Sequence, residues 1–164
     1  HFGSRSFSLT ERNPMSHTYT NLLSHVVFST KDRRPLIDEE IKPRLLGYIN
    51  GIVNESGGRV LSLNTMADHL HMLWESPRTL SMSDAMRTVK TNSSRWVHET
   101  WGLKKAFGWQ TGYASFSVSR SNLAAVANYI ETQEAHHRKR TFEEEFVELL
   151  VRHGVDYDSR FVFG

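Results

Sequence analysis

The chain places two histidines two residues apart in the segment Asp68-His69-Leu70-His71. On a β-strand, side chains at positions i and i+2 point to the same face, so His69 and His71 project together. The alternate residues Leu70 and Met72 then face the core. Neutral imidazole is a common metal ligand, so the pair could hold a divalent ion. The same spacing also fits two half-buried histidines that only form hydrogen bonds, and the residues alone leave both interpretations open.

A second set of polar side chains lies on a predicted helix further along the chain. Tyr129, Gln133 and His136 fall together on one face of this helix, with Tyr129 and Gln133 one turn apart. The apolar residues of the helix form a separate stripe: Leu123, Val126, Ala127 and Ile130. A tyrosine outside the apolar stripe is either an ordinary residue at the rim of the core or a side chain presented for chemistry. The spacing fits both interpretations.

The middle of the chain carries an excess of basic residues. The whole sequence has 20 Lys and Arg against 18 Asp and Glu, yet residues 78–120 contain seven basic and two acidic side chains. The basic ones are Arg78, Arg87, Lys90, Arg95, Lys104, Lys105 and Arg120. Aromatic residues are interleaved with them, which is typical of surfaces that bind the phosphates and bases of single-stranded nucleic acid. Solvated faces and core aromatics would produce the same pattern, and the cations are the stronger candidates for DNA contacts.

The elements that must position these residues follow from hydrophobic periodicity and from turn residues. The pattern predicts strands over 19–30, 59–64, 69–75 and 112–119, and helices over 35–54, 83–100, 122–137 and 142–153. Ser83 is a candidate cap of the second helix. This β-α-β-β-α-β order with C-terminal helices predicts an α+β, ferredoxin-like (RRM-like) antiparallel sheet. We expect helices on one face of the sheet and a second face that is free to bind a ligand.

The composition excludes several classes of site. The chain has no cysteine, which rules out disulfides, thiolate zinc sites, iron–sulfur clusters and cysteine nucleophiles. It has no apolar run long enough to span a membrane and no signal-peptide pattern, so we expect a cytoplasmic protein without a membrane partner. Residues 1–14 lack periodicity and precede Met15. We expect them to be a remnant of cloning, with a single domain over 15–164.

Taken together, the motifs resemble one family. Residues 67–73 (ADHLHML) and the spacing from Tyr129 to Gln133 resemble the single-tyrosine HUH transposases of small insertion sequences, the IS200-like or TnpA type. Further matches are HVVFSTK at 25–31, RPLI at 34–37, GWQTGY at 108–113, QEAHH at 133–137, FEEE at 142–145 and HG at 153–154. The resemblance covers about residues 16–161 and is specific as an ordered set.

The resemblance implies a concrete chemistry. His69 and His71 would bind a divalent metal, Mg²⁺ or Mn²⁺, and Gln133 would complete the site. Tyr129 would attack a DNA phosphate and form a 5′-phosphotyrosine link with a free 3′-OH. Members of the family act on single-stranded DNA, recognise hairpins at the ends of the element and work as homodimers whose tyrosine helix can complete the partner's site. The general base is unassigned, and His136 is an auxiliary candidate because it shares the face of Tyr129.

Two other functions fit parts of the pattern. A domesticated, non-catalytic binding module for single-stranded DNA or RNA would need the basic residues but neither Tyr129 nor a metal. A HUH nuclease outside transposition, such as a replication or conjugation nickase, would share the motif, but the small size and the one tyrosine in the motif argue against it. The favoured interpretation is a metal-dependent transposase that is associated with DNA in a prokaryotic cytoplasm.

Overall fold

The computed structural model describes residues 19–102 and 106–163, so the predicted remnant at 1–14 lies outside it. The elements are β1 (Leu23–Ser29), α1 (Ile41–Glu55), β2 (Arg59–Thr65), β3 (His69–Glu75), α2 (Met82–Trp101), β4 (Ala114–Ser117), α3 (Leu123–Glu131), α4 (Gln133–His137) and α5 (Phe142–Arg152). Short 3-10 turns at Lys31–Arg33 and Arg120–Asn122 precede α1 and α3. The predicted order of elements is confirmed.

The four strands form one antiparallel sheet in the order β2-β3-β1-β4. This is the strand order of a ferredoxin-like fold, so the predicted α+β class is confirmed. The helices α1 and α2 let the chain cross over, so that β3 inserts between β2 and β1. β3 is therefore hydrogen-bonded along both of its edges, which makes it a rigid base for side chains that must hold a fixed geometry.

One face of the sheet packs against α1 and α2. Every second residue of the central strands points into this layer, as a period of two requires. The buried sheet residues of the layer are Val26, Phe28, Leu70, Met72 and Trp74. The helix side supplies Ile41, Leu45, Ile49, Val53, Met86 and Val89 at helical spacing. α1 begins where Asp38 Oδ1 accepts a hydrogen bond from the backbone N–H of Ile41 at 2.9 Å.

The second face of the sheet is also covered, and the expectation of an open binding face is wrong. A separate apolar cluster joins Val27 and Phe116 of the sheet to Phe142 and Phe146 of α5. α3 packs across β2 and β3 on the same side. The physical reason is that α5 is amphipathic and must bury its apolar stripe. The face that carries His69 and His71 is therefore an interior layer.

Several element boundaries differ from the prediction. The helix predicted over 35–54 begins only at Ile41, and the strand predicted over 112–119 spans Ala114–Ser117. Ser81 rather than Ser83 caps α2, because its Oγ accepts a hydrogen bond from Asp84 N at 3.1 Å. The single helix predicted over 122–137 is divided into α3 and α4, because Thr132 leaves helical geometry at φ −100° and ψ 22°. The strand predicted over 19–30 is shorter and spans only Leu23–Ser29.

Lys90 of α2 fastens the loop that leads into β4. Its Nζ donates to the carbonyl oxygen of Gln110 at 3.1 Å and to that of Gly112, and it lies 4.9 Å from the centre of the Phe28 ring. Burial lowers the pKa of Lys90 to about 8. The side chain therefore supports the fold at the end of the sheet where β4 begins.

Replacing Lys90 with Met should lower the free energy of unfolding by about 1–3 kcal/mol, because it leaves the loop carbonyls without their charged donor. Urea denaturation followed by tryptophan fluorescence measures this change. The matched control is Arg87→Met on the same helix, whose ion pair with Asp84 is largely exposed. It should change the free energy by less than about 0.5 kcal/mol. Equal effects of the two substitutions would contradict the structural role of Lys90.

Candidate active site

His69 and His71 lie side by side on β3 and are both fully buried. Their ring centroids are 5.2 Å apart. Leu70 and Met72 point to the opposite face and belong to the core beneath α1 and α2. The joint projection of the two imidazoles, predicted from their spacing, is confirmed by this arrangement.

Two further side chains reach the same place from the C-terminal helices. His137 ends α4 and Glu145 lies near the start of α5. The ligand atoms of these two residues and of His69 and His71 all lie within 4.8 Å of one another. Glu145 Oε1 is central, at 2.8 Å from His71 Nε2, 3.3 Å from His137 Nε2 and 3.8 Å from His69 Nε2. We call these four residues the histidine–glutamate cluster.

Tyr129 points its hydroxyl into the histidine–glutamate cluster. Its Oη donates to Oε2 of Glu145 at 2.5 Å, so one carboxylate contacts both the phenol and the imidazoles. The ring centroid of Tyr129 is 6.0 Å from that of His71 and 4.7 Å from that of His136. Of the two interpretations left open by the sequence, the geometry favours a tyrosine presented for chemistry.

The other two residues predicted on the tyrosine face lie at the edge of the cluster. Gln133 is fully buried, and its Oε1 lies 3.0 Å from His137 Nε2. Its Nε2 donates to the carbonyl oxygen of Tyr129 at 3.3 Å. His136 is half-buried against the ring of Tyr129, and its Nε2 lies 3.3 Å from Thr132 Oγ1. Gln133 Oε1 thus contacts His137 of the cluster directly.

Both strand histidines are oriented by a partner on their outer ring nitrogen. His69 Nδ1 is 2.6 Å from Asp68 Oδ1, and His71 Nδ1 is 2.8 Å from Nε2 of the buried His25. Such outer hydrogen bonds fix the ring rotation and the tautomer, so that the inner nitrogen can act as a ligand. In both residues the inner nitrogen, Nε2, faces Glu145.

The electrostatics of the site follow from burial opposed by pairing. Burial lowers the pKa of His71, and burial with the neighbouring His71 lowers the pKa of His25 to about 3, so both rings are neutral. Burial alone would raise the pKa of Glu145, but hydrogen bonds with His137 and His71 outweigh it and hold this pKa well below its usual range. Burial and the hydrogen bond to Glu145 raise the pKa of Tyr129.

The histidine–glutamate cluster fits a divalent metal. His69 Nε2 is buried and has no hydrogen-bond partner within the described part of the chain, which is costly unless a ligand completes it. Three imidazoles and a carboxylate form a nitrogen and oxygen ligand set of the kind that Mn²⁺ accepts, whereas Mg²⁺ would keep several waters.

Residues 19–102 and 106–163 contain no helix that is long and apolar enough to cross a membrane.

The predicted DNA-binding cations are not brought to one surface. Three exposed cations lie on α2 or in the loop before it: Arg78, Arg87 and Arg95. The helix α2 covers the face of the sheet opposite the histidine–glutamate cluster. Arg120 is exposed in the 3-10 turn before α3. Lys90 supports the fold, and Lys104 and Lys105 lie outside the described residues. Contact of these side chains with DNA stays a prediction.

Two cluster residues, His137 and Glu145, were missed as candidate ligands by sequence reasoning. A signal for Glu145 was present, because it lies on the apolar stripe of α5, between Phe142 and Leu149 at helical spacing. A carboxylate on the buried face of a helix requires a partner. His137 gave no comparable signal, because the break at Thr132 decides where its side chain points.

The site combines paired histidines on a central strand with a tyrosine on a later helix, in a ferredoxin-like fold. This is the arrangement that the resemblance to single-tyrosine transposases implies. The family model "Transposase IS200 like" matches residues 18–133. The chain is 30% identical over 128 residues to the transposase for insertion sequence element IS200 of Salmonella typhimurium, covering 75% of this chain and 84% of the relative. It therefore belongs to the IS200-like transposase family and is a transposase.

One more distant relative agrees with this membership, and two solved structures share the fold. The ISDra2 transposase TnpA of Deinococcus radiodurans is 25% identical over 114 residues, covering 66% of this chain and 81% of that protein. A transposase crystal structure from Deinococcus radiodurans has a TM-score of 0.59 at 24% identity and covers 72% of this chain and 95% of its own. A REP-associated tyrosine transposase bound to a REP hairpin has a TM-score of 0.54 at 16% identity, covering 75% of this chain and 74% of its own. These two structures support the fold.

Replacing His25 with Phe should weaken Mn²⁺ binding by about 10- to 100-fold, because His71 loses the partner that orients it. Titration calorimetry on the protein without DNA measures this affinity. The control is His98→Phe, since His98 also makes one hydrogen bond, from its Nε2 to the carbonyl oxygen of Phe107, away from the cluster. Unchanged affinity in His25→Phe would show that His71 does not depend on His25.

Proposed function

We propose that this transposase cuts and rejoins single-stranded DNA through a 5′-phosphotyrosine intermediate formed on Tyr129. One observation carries the proposal: the hydroxyl of Tyr129 and the imidazole of His71 share the carboxylate of Glu145. The nucleophile and the ligand cluster are thus held at one point. The paired histidines, the tyrosine and the family membership of the chain are all consistent with this reaction.

The proposed reaction keeps the energy of the phosphodiester bond in the covalent link to Tyr129. Tyr129 Oη forms a bond to phosphorus, the bond from phosphorus to the 3′ oxygen breaks, and that oxygen takes up a proton to leave as a 3′-OH. Rejoining reverses these steps when a 3′-OH attacks the phosphotyrosine and returns the phenol. No bond energy is lost to hydrolysis, so neither direction needs a nucleotide cofactor.

The phenol needs help to react, because its usual pKa is near ~10 and burial raises it further. We assign the role of proton acceptor to Oε2 of Glu145, along the hydrogen bond that already exists. The low pKa of Glu145 comes from hydrogen bonds with His71 and His137. Glu145 would hold the ion through Oε1, which faces the imidazoles, and this leaves Oε2 to take the proton of Tyr129.

The ligand set proposed for the metal is wider than the sequence suggested. His69, His71, His137 and Glu145 would hold the ion, and Gln133, whose Oε1 lies 3.0 Å from His137 Nε2, stays a proposed ligand beside them. A bound Mg²⁺ or Mn²⁺ would supply positive charge to the phosphate oxygens and orient the scissile bond. Three of the four proposed ligands are buried, and His137 is half-buried, so the ion would lie at the edge of the interior, where a DNA phosphate can reach it.

The proposed substrate is a single-stranded DNA hairpin at the end of an insertion sequence. The distant structural relative described as bound to a REP hairpin supports this choice. We propose that the reaction takes place on DNA in a prokaryotic cytoplasm.

The homodimer with shared sites stays a prediction. Within one chain, Tyr129 already contacts the cluster of its own sheet. Mixing Tyr129→Phe with His69→Ala protein tests the exchange, because only a partner's helix could then restore cleavage.

Tyr129→Phe should abolish the covalent adduct while leaving the fold and DNA binding intact, because it removes only the attacking oxygen. The measurement is a denaturing gel of hairpin DNA incubated with protein and Mn²⁺. Tyr48→Phe is the control, since Tyr48 is half-buried against Trp96 on the opposite face of the sheet. Binding without any adduct in the wild-type protein would instead indicate a non-catalytic module.

Glu145→Gln should slow adduct formation by about 10²- to 10⁴-fold, because an amide keeps the shape of the carboxylate but cannot accept the proton. Single-turnover rates on the same hairpin at saturating Mn²⁺ measure this effect and separate it from weaker metal binding. The control is Glu148→Gln, one turn further along α5, which should change the rate by less than about twofold. A faster Glu145→Gln variant would show that Glu145 restrains the nucleophile rather than activating it.

A further inference from the structure

A cavity of about 240 Å³ opens beside Tyr129, next to the C-terminal end of α5. It lies between the end of β4, the first turns of α3 and the end of α5. Tyr129 and His25 form the wall that the cavity shares with the cluster site, and Arg152 and His153 form the wall on α5. The residues on α5 lie beyond the part of the chain that the family model matches.

The floor of this cavity is built from rings. His153 stacks on the buried ring of Phe116, with centroids 4.3 Å apart and planes 21° from parallel. Phe116 lies edge-on to His25, which in turn lies edge-on to Tyr129 at 6.1 Å. The Nδ1 of His153 donates to the carbonyl oxygen of Leu149 at 2.8 Å, which holds the ring in place. A ring supported from one side and exposed on the other is a platform on which a nucleobase can stack.

The cavity is basic as well as aromatic. Arg152 lines it with a side chain that is 60% exposed and pairs with Glu148 at 2.6 Å. Glu148 also pairs with Arg140, so one carboxylate serves two guanidinium groups. Exposed ion pairs contribute little, so a phosphate can take the place of Glu148 at low cost. Among residues 19–102 and 106–163, none that lines the cavity carries a carboxylate.

The geometry of phosphoryl transfer selects which nucleotide this cavity would receive. The attacking and leaving oxygens lie roughly in line on opposite sides of phosphorus. The nucleotide that leaves with its 3′ oxygen therefore departs from the far side of phosphorus relative to Tyr129. The nucleotide that keeps the phosphate stays beside Tyr129, which is one of the residues that line the cavity.

We propose that the cavity between α3, β4 and α5 binds the first nucleotide on the 3′ side of the cut, with its base stacked on His153 and its next phosphate on Arg152. This inference rests on the proposed function, because it names the nucleotide that becomes linked to Tyr129. The subsite selects for a base at this position and holds the 5′-phosphotyrosine end between cutting and rejoining.

The test is an abasic scan along a fluorescent hairpin oligonucleotide, read by anisotropy with Tyr129→Phe protein so that the strand stays whole. An abasic position at the proposed nucleotide should weaken binding by about tenfold, as expected for the loss of one stacked base. Adding His153→Ala should weaken binding of the intact strand by a similar factor and remove the effect of the abasic position. His153→Phe should retain the effect, since it keeps the ring.

The position at which the wild-type protein cuts the same hairpin is then mapped and compared with the nucleotide whose abasic replacement weakens binding. The inference predicts that this nucleotide lies immediately 3′ of the cut, and a sensitive nucleotide elsewhere overturns it. Absence of coupling between His153 and any abasic position overturns it as well. If coupling is present but the wild-type protein never forms an adduct, the proposed function fails while the base-binding cavity stands.

Arg152→Gln tests the phosphate contact separately. It should weaken binding of intact and abasic strands alike, by about three- to tenfold at low salt, and the loss should shrink as salt rises. The matched control is Arg59→Gln, because Arg59 is 61% exposed and also pairs with a glutamate, on the opposite edge strand. Equal losses in the two variants would overturn the assignment of Arg152 to this subsite.

Discussion

The carboxylate of Glu145 is fully buried, and a buried charge must be paired or it destabilises the fold. Its two oxygens are satisfied by His71, His137 and Tyr129, which come from a strand, a short helix and a longer helix. This requirement ties the C-terminal helices to the sheet at one point. The same point is where the proposed nucleophile and a set of potential metal ligands converge, so the stability of the fold and the geometry of the site depend on one interaction.

The two faces of the sheet have different tasks because β-strand side chains alternate. Leu70 and Met72 complete the apolar core under α1 and α2, while His69 and His71, one residue away, turn potential metal ligands to the other face. A shift of one residue in the register of β3 would exchange these roles completely. Hydrogen bonding of β3 along both edges resists such a shift, and this gives the imidazoles their fixed positions.

The family model ends at residue 133, but the site does not. His137 and Glu145 belong to the cluster, and Arg152 and His153 line the adjoining cavity. The last helices therefore do more than cover the sheet. They contribute acidic, basic and aromatic groups to a site whose histidine pair and tyrosine lie within the matched region, so differences in these helices can change the chemistry without changing the shared motif.

The sequence by itself determined the order of the elements, the ferredoxin-like class and the joint projection of His69 and His71, because hydrophobic periodicity and strand alternation are local properties. Tertiary structure alone decided that α5 closes the second face of the sheet and that the helix after β4 breaks at Thr132. These two features bring His137 and Glu145 to the histidines, with Gln133 in contact with His137. They depend on contacts that a buried carboxylate and an apolar helix face make with residues far away in the sequence. Local sequence patterns do not determine such long-range contacts.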